Sequence, residues 1–176
     1  LIVAATGTGK TVVSAFDFKD YCKANPNPRL LYLVHREEIL KQSLDTFRAV
    51  LKDYNFGDIW VGAHTPARYD QLFASVQMLN NGNKFQHVAP DAFDFIILDE
   101  AHHGTAESYD KLLKYFTPDI LVGLTATPER MDGGDILQYF NNRIAYEIRL
   151  DEAINKGLLC PFHYFGVTDS VDLDAV

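Results

Sequence analysis

The chain has 176 residues, 47% of them hydrophobic and 23% charged, and its net charge is −8. These values are ordinary for a single globular domain with a substantial core. The acidic balance counts mildly against nucleic-acid binding, although a locally basic groove can exist on an acidic body. Cys22 and Cys160 have no metal-ligand spacing, so free thiols are expected. No apolar run approaches the roughly 20 residues that cross a bilayer, so no membrane partner is expected.

Short apolar runs alternate with helical patterns along the chain. Leu1 already lies in a first strand, and further buried strands are predicted at 30–34, 59–61, 73–76, 95–98 and 120–124. Helices are predicted at about 10–24, 37–53 and 107–116, and a surface turn at 80–84. The tail from Pro161 is predicted to be a last strand that leads into an acidic linker. This alternation predicts an α/β domain with a mostly parallel sheet, helices on both faces and ligands at the carboxyl ends of the strands.

The first strand is followed at once by AATGTGKT, Ala4 to Thr11. A strand, a glycine-containing loop and Gly-Lys-Thr at a helix start are typical of a loop that holds a nucleoside triphosphate. Lys10 would reach the β- and γ-phosphates and the Thr11 hydroxyl would ligate Mg²⁺. The general pattern begins with Gly where this chain has Ala4, and a Gly- and Thr-rich surface turn is the alternative. The predicted nucleotide-binding residues are Ala5, Thr6, Gly7, Thr8, Gly9, Lys10 and Thr11.

A pair of carboxylates ends the apolar strand FIIL, in the run Asp99-Glu100-Ala101-His102-His103. Asp99 is predicted to hold Mg²⁺ together with Thr11, and Glu100 to orient and deprotonate the attacking water. The alternative is a strand end with solvated acids. His102 is a candidate for metal binding or titration. We favour a polar coupling role for it, because no Cys or acid lies at a zinc spacing.

Polar residues also follow three other predicted strands. His35 and Arg36 come after LLYLV, and at a strand end such residues can bind phosphate oxygens. Gln77 follows another strand, in Ser-Val-Gln. Thr125 and Thr127 follow ILVG in a tight turn that places hydroxyls beside the presumed nucleotide. Taken singly, each of these is equally consistent with an ordinary surface loop.

In this order the segments resemble the first motor lobe of superfamily 2 helicases and translocases of the DEAD/DEAH-box type. AATGTGKT resembles motif I, in which Ala at the first position is common, LVHR resembles motif Ia, DEAH resembles motif II and LTATP resembles motif III. SVQ matches a motif that borders the nucleic-acid path. The resemblance covers nearly the whole chain and implies a RecA-like P-loop NTPase fold that uses ATP and Mg²⁺ to move along nucleic acid.

The resemblance also implies roles for individual residues. Lys10, Asp99 and Glu100 would be the catalytic set. His102, Thr125 and Thr127 would couple the nucleotide state to the nucleic-acid track. Contacts to the sugar–phosphate backbone would come from His35, Arg36 and Gln77.

The residues of the last motif indicate which branch of the superfamily the chain resembles. Thr-Ala-Thr, continued by Pro128, Arg130, Asp132 and Gly133, resembles the DNA-directed branch that contains XPB-like repair helicases and the motor subunits of type I and type III restriction enzymes. DNA is therefore the expected partner, and Arg130 would serve coupling or structure. An RNA-directed helicase or a nucleoprotein-remodelling ATPase with the same lobe is the main alternative. An inert scaffold or a kinase-type NTPase is a third. The intact Lys10, Asp99 and Glu100 argue against a scaffold, and LVHR and TATP argue against a kinase.

The resemblance implies a longer protein. Residues 1–165 would be the first lobe, truncated at its N-terminus, and 166–176 would begin a linker to a second RecA-like lobe of the same chain. That second lobe would supply an arginine finger, which is worth orders of magnitude in rate. We therefore expect residues 1–176 alone to bind nucleotide weakly and hydrolyse it poorly. The expected location is intracellular, cytoplasmic in a bacterium or nuclear elsewhere.

Overall fold

The described residues form a single parallel sheet of seven strands. The computed structural model describes residues 1–62, 64–101, 106–127 and 136–162. The spatial order of the strands is β3-β4-β2-β5-β6-β1-β7, and every pairing between neighbours is parallel. The strands are β1 (Ile2–Ala4), β2 (Leu30–Val34), β3 (Asp58–Trp60), β4 (Gln71–Ser75), β5 (Phe95–Leu98), β6 (Ile120–Thr125) and β7 (Tyr146–Ile148). The α/β fold class predicted from the apolar runs is confirmed.

Helices cover both faces of this sheet, which splits the core into two layers. In β2, Tyr32 packs in the layer with α1 and α2, while Leu31 and Leu33 pack in the layer with α3 and α4. This alternation follows from the two-residue period of a strand. The helices are α1 (Lys10–Ala24), α2 (Glu37–Leu51), α3 (Val76–Asn80), α4 (Ala106–Tyr115) and α5 (Leu150–Asn155), with 3₁₀ segments at Asn81–His87 and Ile136–Phe140.

The structure departs from the sequence predictions mainly at element ends and in short elements. Helix α1 has the predicted bounds, whereas α2 ends at Leu51, two residues early, because Lys52 adopts a left-handed conformation with φ 59°. The predicted turn at 80–84 lies within a helix end and a 3₁₀ segment, where Gly82 and Asn83 have φ of 63° and 55°. Pro161 and Phe162 belong to no strand. The rest of the predicted last strand and the linker 166–176 lie outside the described residues.

All seven strands point the same way, so their carboxyl ends meet at one edge of the sheet. The loop after β1, the acidic pair after β5 and the threonine turn after β6 lie at this edge, as do the segments after β2 and β4. Parallel sheets bind their ligands at this edge. Among the described helices, none has the length and apolar character needed to cross a membrane.

Candidate nucleotide site and nucleic-acid face

The loop between β1 and α1, predicted to bind phosphate, is compact. The Thr8 backbone N–H and hydroxyl both donate to the Ala5 carbonyl, at 3.2 and 2.7 Å. Gly7 and Gly9 have φ of 88° and 86°, a region that side chains with a Cβ avoid. Thr6 is exposed at the tip of the loop. Gly9 is the N-cap of α1 and brings no side-chain cap, so the first N–H groups of the helix point at the loop.

Lys10 is held against this loop. Its side chain is only 8% exposed, and its Nζ donates to the Ala4 carbonyl at 2.9 Å. An ammonium group has three N–H donors. One of them orients the lysine on the loop backbone, and the other two suit phosphate oxygens. Thr11, one residue later, is half-buried in the first turn of α1.

Asp99 lies in a well-defined setting just beyond β5. It is 4% exposed, and its backbone N–H donates to the Leu33 carbonyl at 2.8 Å, which extends the pairing of β5 with β2. Its Oδ1 accepts the Glu100 N–H at 2.9 Å, and its Oδ2 accepts the Tyr32 hydroxyl at 2.5 Å. Glu100 has φ 51°, a left-handed conformation that is uncommon for residues other than glycine and clusters at functional sites.

The electrostatics of this corner favour a bound cation. Burial raises the pKa of the Asp99 carboxyl, and the hydrogen bond from Tyr32, the Glu100 N–H and the charge of Lys10 offset only part of that rise. A divalent ion would supply the missing positive charge and hold the carboxylate ionised. Burial also raises the pKa of Tyr32 well above its usual range, so its phenol stays protonated as a donor.

One cleft of about 350 Å³ joins the two predicted halves of the site. Lys10 and Thr11 line one side of it, and Asp99 and Glu100 line another. Helix α2 closes the cleft with polar side chains that sequence analysis did not single out: Gln42, Ser43 and Thr46. The predicted phosphate loop and the predicted acidic pair, about 90 residues apart in sequence, therefore share one space.

The residues present fit a magnesium nucleotide. Within the described residues there is no group of three or more His, Cys, Asp or Glu side chains that would hold a metal ion by themselves. Mg²⁺ is usually held by one or two carboxylates, its own waters and the phosphates of the nucleotide. Asp99 and the Thr11 hydroxyl, beside the predicted phosphate loop, form a set of that kind.

The predicted nucleic-acid residues lie at the ends of β2 and β4. The Gln77 Nε2 is 2.8 Å from the His35 Nδ1, so the fold brings these two residues together. The His35 ring meets the Tyr109 ring of α4 edge-on at 5.2 Å. Arg36 is exposed at the N-cap of α2. These positions form a polar face beside the cleft.

Ser75 joins the helices that carry this face. Its Oγ accepts the Met78 N–H at 3.2 Å as the N-cap of α3 and donates to Glu37 Oε1 of α2 at 3.2 Å. Because Ser75 is fully buried, this link fixes the start of α3 relative to the start of α2. The Ser-Val-Gln pattern in the sequence predicts only a nucleic-acid contact, and it does not reveal this structural role of Ser75.

The threonine turn follows β6, next to the phosphate loop. In the sheet register Thr125 is paired with Val3 of β1. Its hydroxyl donates to the Thr127 carbonyl at 2.6 Å and accepts the Thr127 N–H at 3.2 Å, which closes the turn. Thr125 is buried and Thr127 exposed. His102 and Arg130 lie outside the described residues.

The main residue that sequence analysis missed is Tyr32. Its signal was present, because a tyrosine inside the otherwise apolar strand LLYLV needs a hydrogen-bond partner when buried. Nothing in the sequence identified that partner as Asp99.

A larger cavity, of about 620 Å³, lies elsewhere among the described residues. Its lining includes Arg29, Trp60, Tyr69 and Lys84 and none of the residues predicted for the site. Size alone does not identify a site, and the smaller cleft is the one with the phosphate loop and the paired carboxylates.

Comparison with known proteins agrees with the geometry. The family described as "Type III restriction enzyme, res subunit" matches residues 1–130. The chain belongs to this family. The identification of the chain as the N-terminal RecA-like lobe of a superfamily 2 helicase, in the branch of type III restriction and XPB-like motors, is confirmed.

Individual members of this wider group are similar over most of the chain. The type I restriction enzyme EcoAI endonuclease subunit of Escherichia coli is 31% identical over 98% of the chain and 22% of its own length. The DNA 3'-5' translocase XPB2 of Sulfurisphaera tokodaii is 32% identical over 89% of the chain and 33% of its own length. A fragment structure of a putative HsdR subunit of a type I restriction enzyme from Vibrio vulnificus YJ016 superposes with a TM-score of 0.63 and 29% identity, covering 89% of the chain and 27% of that structure. The chain thus spans about a third or less of the length of these relatives.

Proposed function

We propose that the complete protein is an ATP-driven DNA helicase or translocase, and that residues 1–165 are its ATP-binding lobe. The observation that carries the proposal is the shared cleft, in which Lys10 and Thr11 face Asp99 and Glu100. The similar restriction-enzyme subunit and the relative named a DNA 3'-5' translocase favour DNA over RNA as the track.

On the nucleotide side, the backbone of residues 5–9 and the start of α1 would bind the phosphates. Lys10 would orient the β- and γ-phosphates, while Thr11 and Asp99 would hold the hydrated metal ion. Mg²⁺, when bound, neutralises charge on the phosphates. Glu100 would accept the proton of the attacking water, and its fixed backbone conformation would position the carboxylate for that task.

On the nucleic-acid side, His35, Arg36 and Gln77 would contact the sugar–phosphate backbone. Arg36 is exposed and always charged, so it would supply a contact that does not depend on base sequence. Thr125 and Thr127, between the phosphate loop and this face, would couple the nucleotide state to the track, together with His102.

The other groups needed for ATP hydrolysis would come from parts of the protein beyond this lobe. We propose that residues 166–176 begin a linker to a second RecA-like lobe, whose arginine finger completes the ATP site. The proposed location is intracellular, cytoplasmic in a bacterium or nuclear elsewhere, because the track is DNA.

The test is the ATPase rate of the complete protein without nucleic acid, with double-stranded DNA, with single-stranded DNA and with RNA. The expected result is stimulation by DNA, and its abolition by Lys10→Ala. The matched control is Lys19→Ala, because Lys19 also donates to a backbone carbonyl, that of Val50 at 2.7 Å, but does not line the cleft. Stimulation by RNA alone would overturn the DNA assignment in favour of the RNA-directed alternative.

A further inference from the structure

Tyr32 occupies a position where an apolar residue would be expected. It lies in the middle of a central strand and is completely buried. Its ring stacks on Phe73 at 5.1 Å and meets Phe47 edge-on at 5.5 Å. A phenylalanine would keep both of these ring contacts. The hydroxyl is therefore the part of Tyr32 that packing does not explain, and burying an unpaired hydroxyl is costly.

The Tyr32 hydroxyl donates a hydrogen bond to the predicted metal ligand, Asp99. Tyr32 pairs with Ile97 in the sheet register, and its phenol reaches past the end of β5 to Asp99 Oδ2. The other carboxylate oxygen, Oδ1, accepts the Glu100 N–H. Each carboxylate oxygen has two lone pairs. Both oxygens are thus oriented by the protein, and each keeps a lone pair for a metal ion or its water.

Thr11 in the first turn of α1 and Ser43 on α2 line the same cleft as Asp99, and hydrogen bonding with their side chains offsets part of the rise that burial causes in the pKa of Tyr32. Groups that orient a metal ligand from behind affect metal affinity strongly, with losses of about 10- to 100-fold on mutation.

We propose that Tyr32 is a positioning residue whose hydroxyl holds the Asp99 carboxylate in the orientation that receives the hydrated Mg²⁺ of the bound nucleotide. This proposal rests on the proposed ATP site, and it adds a buried residue of β2 to the groups that determine the Mg²⁺ requirement.

The test measures binding rather than turnover. The complete protein is titrated with Mg²⁺ in the presence of a non-hydrolysable fluorescent ATP analogue, and analogue binding is also measured in EDTA. Tyr32→Phe is expected to raise the Mg²⁺ concentration at half-saturation by about tenfold. Analogue affinity in EDTA and the thermal unfolding midpoint should stay close to the wild-type values. The matched control is Tyr21→Phe, whose hydroxyl donates to the Asp119 carboxylate at 3.0 Å on the surface, and it should leave the Mg²⁺ titration unchanged.

A double variant separates positioning from packing. In an Asp99→Asn background, Tyr32→Phe should no longer shift the Mg²⁺ titration, because the carboxylate that it orients is gone. An unchanged titration in Tyr32→Phe itself would overturn the proposal. An equal loss of analogue binding with and without Mg²⁺, or failure of Tyr32→Phe to fold, would also overturn it, because the hydroxyl would then serve the fold. These results are independent of DNA stimulation, so a wild-type protein that binds the magnesium nucleotide but ignores DNA would refute only the proposed function.

Discussion

Adding a single methyl group at Gly123 in β6 should strongly destabilise the packing of the core next to the candidate site. A Cβ at this position would lie 2.3 Å from the Phe140 Cζ and 2.6 Å from the Leu1 Cδ1. Phe140 and Leu1 are themselves 6% and 7% exposed, so neither side chain can move into solvent without leaving the core. Thr125 follows two residues later, so the strain falls on the strand that leads to the threonine turn.

Overpacking of a core typically costs about 1–3 kcal/mol. Because Gly123→Ala displaces two separate buried side chains, we expect a loss of about 3 kcal/mol in the free energy of opening β6. With every 1.4 kcal/mol equal to a factor of ten, amide protection in β6 should fall about 100-fold.

Hydrogen exchange with mass spectrometry on the complete protein can measure this locally, without two-state unfolding of the whole chain. The control is Gly82→Ala, because Gly82 has φ 63° and an added Cβ there meets nothing within 4 Å. That control should cost about 1 kcal/mol of backbone strain in its own segment and leave β6 unchanged. Wild-type exchange of β6 in Gly123→Ala would refute the packing argument.

Two further predictions concern charge. Arg36→Gln should weaken binding to DNA of any sequence and lower the salt slope of the affinity by about 1, as measured by fluorescence anisotropy over a salt series. Lys41 is exposed on α2, and the control Lys41→Gln should change neither the affinity nor the slope. Equal effects of the two substitutions would contradict the proposed nucleic-acid face. Burial and then the hydrogen bond to Asp119 raise the pKa of Tyr21 to about 12, so an ultraviolet titration should show its phenol ionising there and earlier in Asp119→Asn. The contribution of protonated Tyr21 to the stability of the fold should be complete below about pH 10, where a phenol of the unfolded chain titrates. It should disappear as the pH rises through about 12. A Tyr21 pKa near 10 would refute this prediction.

Much of the fold could be predicted because its signals are local. The bounds of α1 follow from the glycine loop before Lys10 and the Asn-Pro segment after Ala24. Strands β2 and β5 are continuous apolar runs, and both were predicted to the residue. By contrast, β7 has three residues, two of them exposed, and α5 has six. Such short elements depend on packing against neighbouring segments, because they are too short to show a hydrophobic periodicity of their own.

The candidate site likewise contains some residues that the sequence predicts and one contact that it does not. That Lys10, Thr11, Asp99 and Glu100 lie close together could be predicted, because parallel strands bring their carboxyl ends to one edge of the sheet. The hydrogen bond from Tyr32 to Asp99 could not be assigned, because it depends on the register of β2 and β5 and on the direction of one phenol.

We propose that Glu100 acts as the base in an ATP site built around Lys10. The most direct test compares the complete wild-type protein with Glu100→Gln at saturating DNA, with ATP turnover and analogue binding measured in parallel. A general base contributes about 10²- to 10⁴-fold, so turnover should fall at least about 100-fold while analogue binding stays near wild type. Glu38→Gln, an exposed acid in the first turn of α2, is the control and should be fully active. Wild-type turnover in Glu100→Gln would contradict the assignment of the site.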